Sequence, residues 1–254
     1  MFAAKGLRAV VTSLVTFDFH NTIASCDAWF DLEIRDLPVR TLEILDPSTL
    51  DVHSPDGITA SYRSLRKQVM ASGREVDAVE GVRRVTDALG VRLAVEDIAS
   101  AIESLMHEAA AEATPIPGAV ESIRAIAGNG TRVGVISSAV YHPFLEWTLE
   151  RFGVGQELAF IMTSASTGIY KSNPDIYRVA MENAGARPDR SIHVGDSEKW
   201  DVWAAKEAGM RAVWFANGKS DPIVDREMET EPDHTVHYMG DVAPWVLGAL
   251  ERRP

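Results

Sequence analysis

Apolar residues in this chain recur at two spacings, and the switch between them divides it. Short apolar runs bounded by turn residues predict strands: Ala9 to Val15, which leads into Asp18, then Arg132 to Ser137, Leu158 to Thr163, Ser191 to Val194 and Arg211 to Phe215. Between and after them the spacing is helical, over Ala119 to Ala127, Phe144 to Phe152, Pro174 to Ala184, Asp201 to Ala208 and Val242 to Leu250. Gly130, Gly185 and Gly209 each stop a helix a few residues before the next strand. This alternation predicts an α/β fold, a Rossmann-like parallel sheet core covered by helices.

One long stretch breaks the alternation. From Asp27 to about Ala113 the pattern is helical without a convincing strand: Trp29 to Leu37 before Pro38, Val39 to Leu45 after it, then Ile58 to Ala71, Arg74 to Leu89 and Val95 to Ala113. A turn-rich loop, DPSTLDVHSPDG, precedes the last three, and TPIPG reads as a stiff return linker. The expected organisation is therefore a core of residues 1–24 and 114–254 with an inserted α-helical unit at 25–113. Asn217 to Asp233 is the expected mobile loop.

Composition narrows the function classes. A net charge of -12 with no basic patch argues against nucleic-acid binding. Lys5 and Arg8 ahead of an apolar run resemble an export signal, but Thr12 and Ser13 interrupt the run and it leads straight into Asp18, so a buried strand is the better reading. No segment is apolar over the roughly twenty residues a bilayer requires. The single cysteine, Cys26, has no internal partner and no activating motif, which fits a cytoplasmic protein with an inert thiol.

Open parallel sheets collect ligands at the carboxyl ends of their strands. Asp18, Ser137 and Asp196 fall at or just past predicted strand ends, and Lys171 lies in a loop able to reach the same edge. Together they offer a nucleophilic carboxylate, a fixed cation and a second carboxylate able to share a divalent metal. Each has a structural alternative, since a strand-end Asp is often a cap and a lone Lys or Ser is often solvated surface.

The ordered segments FDFHNT, VISS, GIYKSNPDIY and VGDSEKWD, with the flank PGAVESIRAIAGNG, resemble the haloacid dehalogenase superfamily, in the branch whose helical cap follows the first core strand. That branch includes phosphoglycolate phosphatase-like and haloacid dehalogenase-like enzymes. The resemblance implies Mg2+ held by the carboxylate of Asp18, the backbone carbonyl of His20 and the carboxylate of Asp196. It implies that Asp18 attacks phosphorus to give an aspartyl phosphate, that Lys171 screens the charges and that Asp201 orients the Asp196 loop or a metal-bound water. Ser137, Ser138 and Thr22 form the expected substrate-binding set.

Three departures stand out. His20 replaces the aspartate usual two residues after the nucleophile, and is either a leaving-group acid or a ring packed under the cap. Asn21 stands where glycine is frequent, a mild change because Asn tolerates positive φ. Ser138 stands where asparagine is common. Arg63, Arg66 and Lys67 are candidates for an anionic substrate or a solvated basic face; Trp29 is a leaving-group contact or core filler. Tyr141 and His142 read as helix-start packing.

The function implied is a Mg2+-dependent phosphatase of a small phosphorylated metabolite. Carbon-halogen or carbon-phosphorus hydrolysis is the alternative, because relatives with those activities also lack the second aspartate. A catalytically weak phospho-ligand binder is the third reading, disfavoured by an intact Asp18, Lys171 and Asp196.

Overall fold

The computed structural model describes residues 12–218 and 230–252. Lys5, Arg8, the start of the first predicted strand and most of the Asn217 to Asp233 loop lie outside them. The described strands are β1 (Thr12–Phe17), β2 (Ala24–Ser25), β3 (Thr114–Pro115), β4 (Arg132–Ser137), β5 (Leu158–Thr163), β6 (Ala186–Gly195), β7 (Arg211–Phe215) and β8 (His234–Val236). Six of them form a parallel sheet in the order β5-β4-β1-β6-β7-β8. The chain winds outward from β1 through β4 to β5, then crosses to β6 and continues the other way. The order therefore reverses between β1 and β6, where a crevice opens at the carboxyl edge.

Each sheet face has its own core, as a helix-covered parallel sheet requires. Leu14 and Ile136 pack with Ile176, Tyr177, Ala205 and Met210 on one side. On the other, Val15, Phe17 and Val135 join a cluster that runs through Phe19 and Trp29 to Leu42, Ile58 and Ile98. That second cluster continues from the sheet into the helical insertion without a break. No helix among the described residues is long and apolar enough to cross a membrane.

Between β2 and β3 the chain is helical, with four differences from the predicted elements in this region. Residues 27–45 run on without a break at Pro38, through Asp27–Asp31, a π turn at Leu32–Asp36 and Leu37–Leu45. The wider turn lies just upstream of the residue that lacks a backbone N–H. The helix expected from Arg74 starts at Ala78, because Arg74 bridges to Ile169, Glu75 N donates to Gly168 O at 2.9 Å, and Asp77 caps the helix by accepting from Glu80 N. TPIPG is partly paired: Thr114–Pro115 runs antiparallel to Ala24–Ser25, closing the base of the insertion. Within the expected turn-rich loop, Thr49–Val52 forms a short helix and Pro55–Ser72 follows.

Candidate active site

Asp18 follows the last residue of β1, and its backbone N–H donates to Val194 O of β6 at 2.8 Å. Asp196 follows the last residue of β6, and Ser137 ends β4. The crevice at the sheet reversal thus gathers all three. Beyond Asp18 the chain turns sharply, with Asn21 at φ 59°, the one non-glycine residue with positive φ among those described. The tolerance expected of asparagine there is used.

Lys171 is buried and bridges two carboxylates, donating from Nζ to Asp18 Oδ1 at 2.7 Å and to Asp201 Oδ1. Both contacts hold it charged, well above its ordinary pKa despite the opposing effect of burial. Carboxylate oxygens of Asp18, Asp196 and Asp201 lie within 4.8 Å of one another. Burial raises Asp18 to about 6, with Lys171 pulling the other way. Asp196 is raised further, to about 8, by burial and then by Asp18 and Asp201. The cluster carries more negative charge than one lysine offsets.

Asp201 behaves differently because its lone pairs are already used. Besides Lys171, it accepts from Ser197 N at 2.9 Å on Oδ2 and faces His193 Nε2 at 3.1 Å. His193 is fully buried, and burial keeps its imidazole below the ordinary range. A carboxylate only accepts, so the neutral ring carries its proton on Nε2 and takes the Thr16 hydroxyl proton on Nδ1, 2.8 Å away. Opposing that burial, Lys171 and His193 hold Asp201 below the usual carboxylate range. Gly195 makes room for this carboxylate, since a Cβ there would sit 2.2 Å from Asp201 Cγ. Asp196, by contrast, is less enclosed and accepts from Asn217 Nδ2 at 3.2 Å.

The cavity above these groups holds about 270 Å³ and is lined by Asp18, His20, Ser137, Ser138, Lys171, Asp196 and Asp201 among others. Of the residues expected at the site, Thr22 alone does not line it; the side chain is fully buried, with no hydrogen-bond partner for Oγ1 among the described residues. Ser138 Oγ accepts from Lys171 N at 3.3 Å and so holds the lysine loop. His20 stacks on Phe30, with ring centroids 4.7 Å apart and planes 12° apart, and meets Trp29 edge-on. Its ring is packed, and the residue lines the cavity.

Trp29 is core filler, stacked on Phe144 at 5.0 Å, and it also lines the cavity. Arg63 and Lys67 are exposed, whereas Arg66 is buried and lines the cavity. His142 bonds Thr163 Oγ1 at 3.0 Å and Tyr141 packs on Trp147, both outside the cavity lining. Cys26 is buried, donates to Ala109 O, and burial pushes its thiol up, as an inert cysteine requires. Sequence reasoning missed His193 and Asn217, which hold Asp201 and Asp196, and Glu33 and Trp200, which also line the cavity. Asn217 lies two residues past β7, so the strand-end rule could have found it; the others had no such signal.

A family model described as haloacid dehalogenase-like hydrolase matches residues 52–215, a span containing Ser137, Lys171, Asp196 and Asp201. The chain is 28% identical to a glyceraldehyde 3-phosphate phosphatase of Pyrococcus furiosus over 138 residues, 54% of this chain and 55% of that protein. It is 33% identical to the pyrimidine 5'-nucleotidase YjjG of Escherichia coli over 115 residues, 44% of this chain and 50% of that protein. The chain thus spans about half the length of the curated relatives it matches. In fold it is similar to a 2-haloacid dehalogenase from Pseudomonas syringae, with a TM-score of 0.70 and 22% identity over 94% of this chain and 99% of that one. A HAD phosphatase from Thermococcus onnurineus gives a TM-score of 0.62 at 18% identity, covering 94% of this chain and 99% of that one. With the family match covering well over half of its residues, the chain belongs to the haloacid dehalogenase-like hydrolases.

Proposed function

We propose that the protein is a Mg2+-dependent phosphatase of a small phosphorylated metabolite, working through an aspartyl phosphate on Asp18. The observation that carries this reading is Asp18 at the sheet reversal, held by Lys171 and close to Asp196. Relatives named as phosphatases support it. We propose further that residues 25–113 act as a cap over the site, since Glu33, Ile34, Arg66 and Met70 from that segment line the cavity.

The residues present fit a hard divalent cation. Their donors are oxygens, and the raised Asp18 and Asp196 mark charge that a cation would offset. Asp18 and Asp196, with the His20 backbone carbonyl, would hold it; Asp201 is already saturated and would stay outside. Bound there, Mg2+ would neutralise phosphoryl oxygens as Asp18 approaches. Asp18 forms a bond to phosphorus as the bond to the leaving oxygen breaks, and that oxygen takes a proton from the His20 imidazolium. Water then attacks phosphorus and gives its proton to the neutral His20 ring, the Asp18 oxygen-phosphorus bond breaks, and phosphate departs. Lys171 holds Asp18 in line and screens it from the phosphoryl charge, while Ser137 accommodates a phosphoryl oxygen. Assays of phosphate esters, phosphonoacetaldehyde and 2-haloacids with and without Mg2+ test the reading; metal-independent halide release, or no turnover of any phosphate ester, would defeat it.

Two further outcomes are expected. Asp201→Ala should weaken Mg2+ activation about 10- to 100-fold, as loss of an orienting partner does, and Asp196→Ala well beyond that. Mg2+ titrations of rate decide it, and a parental requirement in Asp196→Ala would remove that residue from the metal. As leaving-group acid, His20 should matter most where the leaving oxygen needs a proton. His20→Ala is expected to slow alkyl phosphates about 100-fold more than p-nitrophenyl phosphate. Equal losses on both would take His20 out of the leaving-group acid role.

A further inference from the structure

Asn217 lies just past β7 and carries its side chain across the end of β6 to the turn beyond β1. One nitrogen makes two contacts there: Nδ2 donates to Asn21 O at 3.2 Å and to Asp196 Oδ2 at 3.2 Å. A backbone carbonyl only accepts, so the amide presents its nitrogen at this place, and its two hydrogens suffice for both acceptors. β7 reaches Asp196 a second time through Trp214, whose indole Nε1 donates to the Asp196 backbone carbonyl at 2.9 Å. Backbone and carboxylate of Asp196 are thus both held from one neighbouring strand and its end.

The turn that receives the other contact is tied to itself. Asn21 N donates to Ala24 O at 2.7 Å, and the amides of Ile23 and Ala24 both donate to Phe19 O, so residues 19–24 move as a unit. His20, whose carbonyl would hold the cation, lies inside that unit. Asn217 therefore joins the two elements that supply the cation's oxygens, although β1 and β7 are not neighbours in the sheet. Groups that face a metal are oriented by such hydrogen-bond partners, and losing one costs about 10- to 100-fold in affinity. What this contact fixes is also what separates divalent cations. Mg2+ is small and strict in geometry, whereas Ca2+ takes more oxygens at longer distances and often both oxygens of one carboxylate. Engaging Asp196 Oδ2 and pinning the opposite turn oppose both adjustments.

We propose that Asn217 is the positioning residue that sets cation choice at the Asp18 site, favouring Mg2+ over Ca2+ by clamping Asp196 to the Asn21 turn. The inference rests on the metal assignment within the phosphatase reading and adds to it the means of selection. Asn217 does not line the cavity, so its effect is exerted through Asp196 and the turn.

Calorimetric titration of the chelator-treated protein with MgCl2 and with CaCl2 tests the clamp without any substrate. Asn217→Ala should bind Mg2+ at least about tenfold more weakly and lose less toward Ca2+, so that the ratio of Mg2+ to Ca2+ affinity falls at least about threefold. Trp214→Phe, which removes the indole donor and keeps an aromatic ring on β7, should move the ratio the same way, and it decides the matter if circular dichroism shows Asn217→Ala misfolded. General loosening of the protein would weaken both cations alike. A ratio that stays at the parental value, or rises, therefore overturns the clamp. Absence of Mg2+ binding by the parent overturns the clamp together with the metal assignment. Phosphate release from esters, measured alongside, separates the two readings. A falling ratio in a protein that turns over no phosphate ester keeps the clamp and rejects the phosphatase; Mg2+-dependent turnover with an unchanged ratio keeps the phosphatase and rejects the clamp.

Discussion

Asp18→Asn is expected to lower turnover by roughly 10⁴-fold or more while the protein stays folded, the scale seen when a covalent nucleophile is removed. An amide matches the carboxylate in shape but is a poor nucleophile toward phosphorus. Structure should survive because the change removes one negative charge from three crowded carboxylates, whose strain shows in Asp18 at about 6 and Asp196 at about 8. Lys171 keeps Asp201 as a partner. In the absence of Mg2+ the variant should therefore melt no lower than the parent. Phosphate release, circular dichroism and thermal melts check the three parts. Appreciable activity in a contamination-controlled preparation would take Asp18 out of the nucleophile role.

Parts of the site were legible because their signals are local. The strands Arg132–Ser137, Leu158–Thr163 and Arg211–Phe215 have the predicted ends, since apolar runs bounded by turn residues leave little choice. Strand ends in a parallel sheet share one edge, so Asp18, Ser137 and Asp196 could be brought together from the sequence. Asn21 could be read from a single backbone angle. What stayed hidden depends on distant packing. His193 looks like an ordinary strand residue, and only the approach of Thr16 from β1 and Asp201 from the following turn gives it a task. β8 is three residues long and, among the described residues, pairs with β7 alone, too short to stand out in the sequence.

The π turns illustrate the same limit. Helical spacing was visible around Glu33 and again around Asp201, but a wide turn changes which side a residue faces without changing its spacing much. Both turns, Leu32–Asp36 and Glu198–Trp203, contribute cavity residues. The three basic residues Arg63, Arg66 and Lys67 carry the same charge in sequence; packing against Glu75 takes Arg66 inside and leaves the others in solvent. Thr22 shows the converse, a residue placed near the site by its motif whose buried side chain does not line the cavity.

Glu33 carries the second large expectation, a fall in stability as pH rises that Glu33→Gln should largely remove. The unfolded carboxyl ionises near 4.5, whereas burial keeps the folded one protonated to about 8. Between those values the folded state holds one more proton than the unfolded state, so stability declines through the window and levels off above it. One pKa unit corresponds to about 1.4 kcal/mol, so the loss attributable to Glu33 is a few kcal/mol. Asp18 and Asp196, also raised, slope the same way and are present in both proteins. The quantity to measure is therefore the difference between parent and Glu33→Gln, by denaturant unfolding from pH 5 to 9 without Mg2+. The amide of the variant cannot ionise, so the gap should open in its favour as pH rises toward 8. A difference that stays flat across the range would mean that Glu33 enters the folded protein already ionised, paired with Arg66 as an anion.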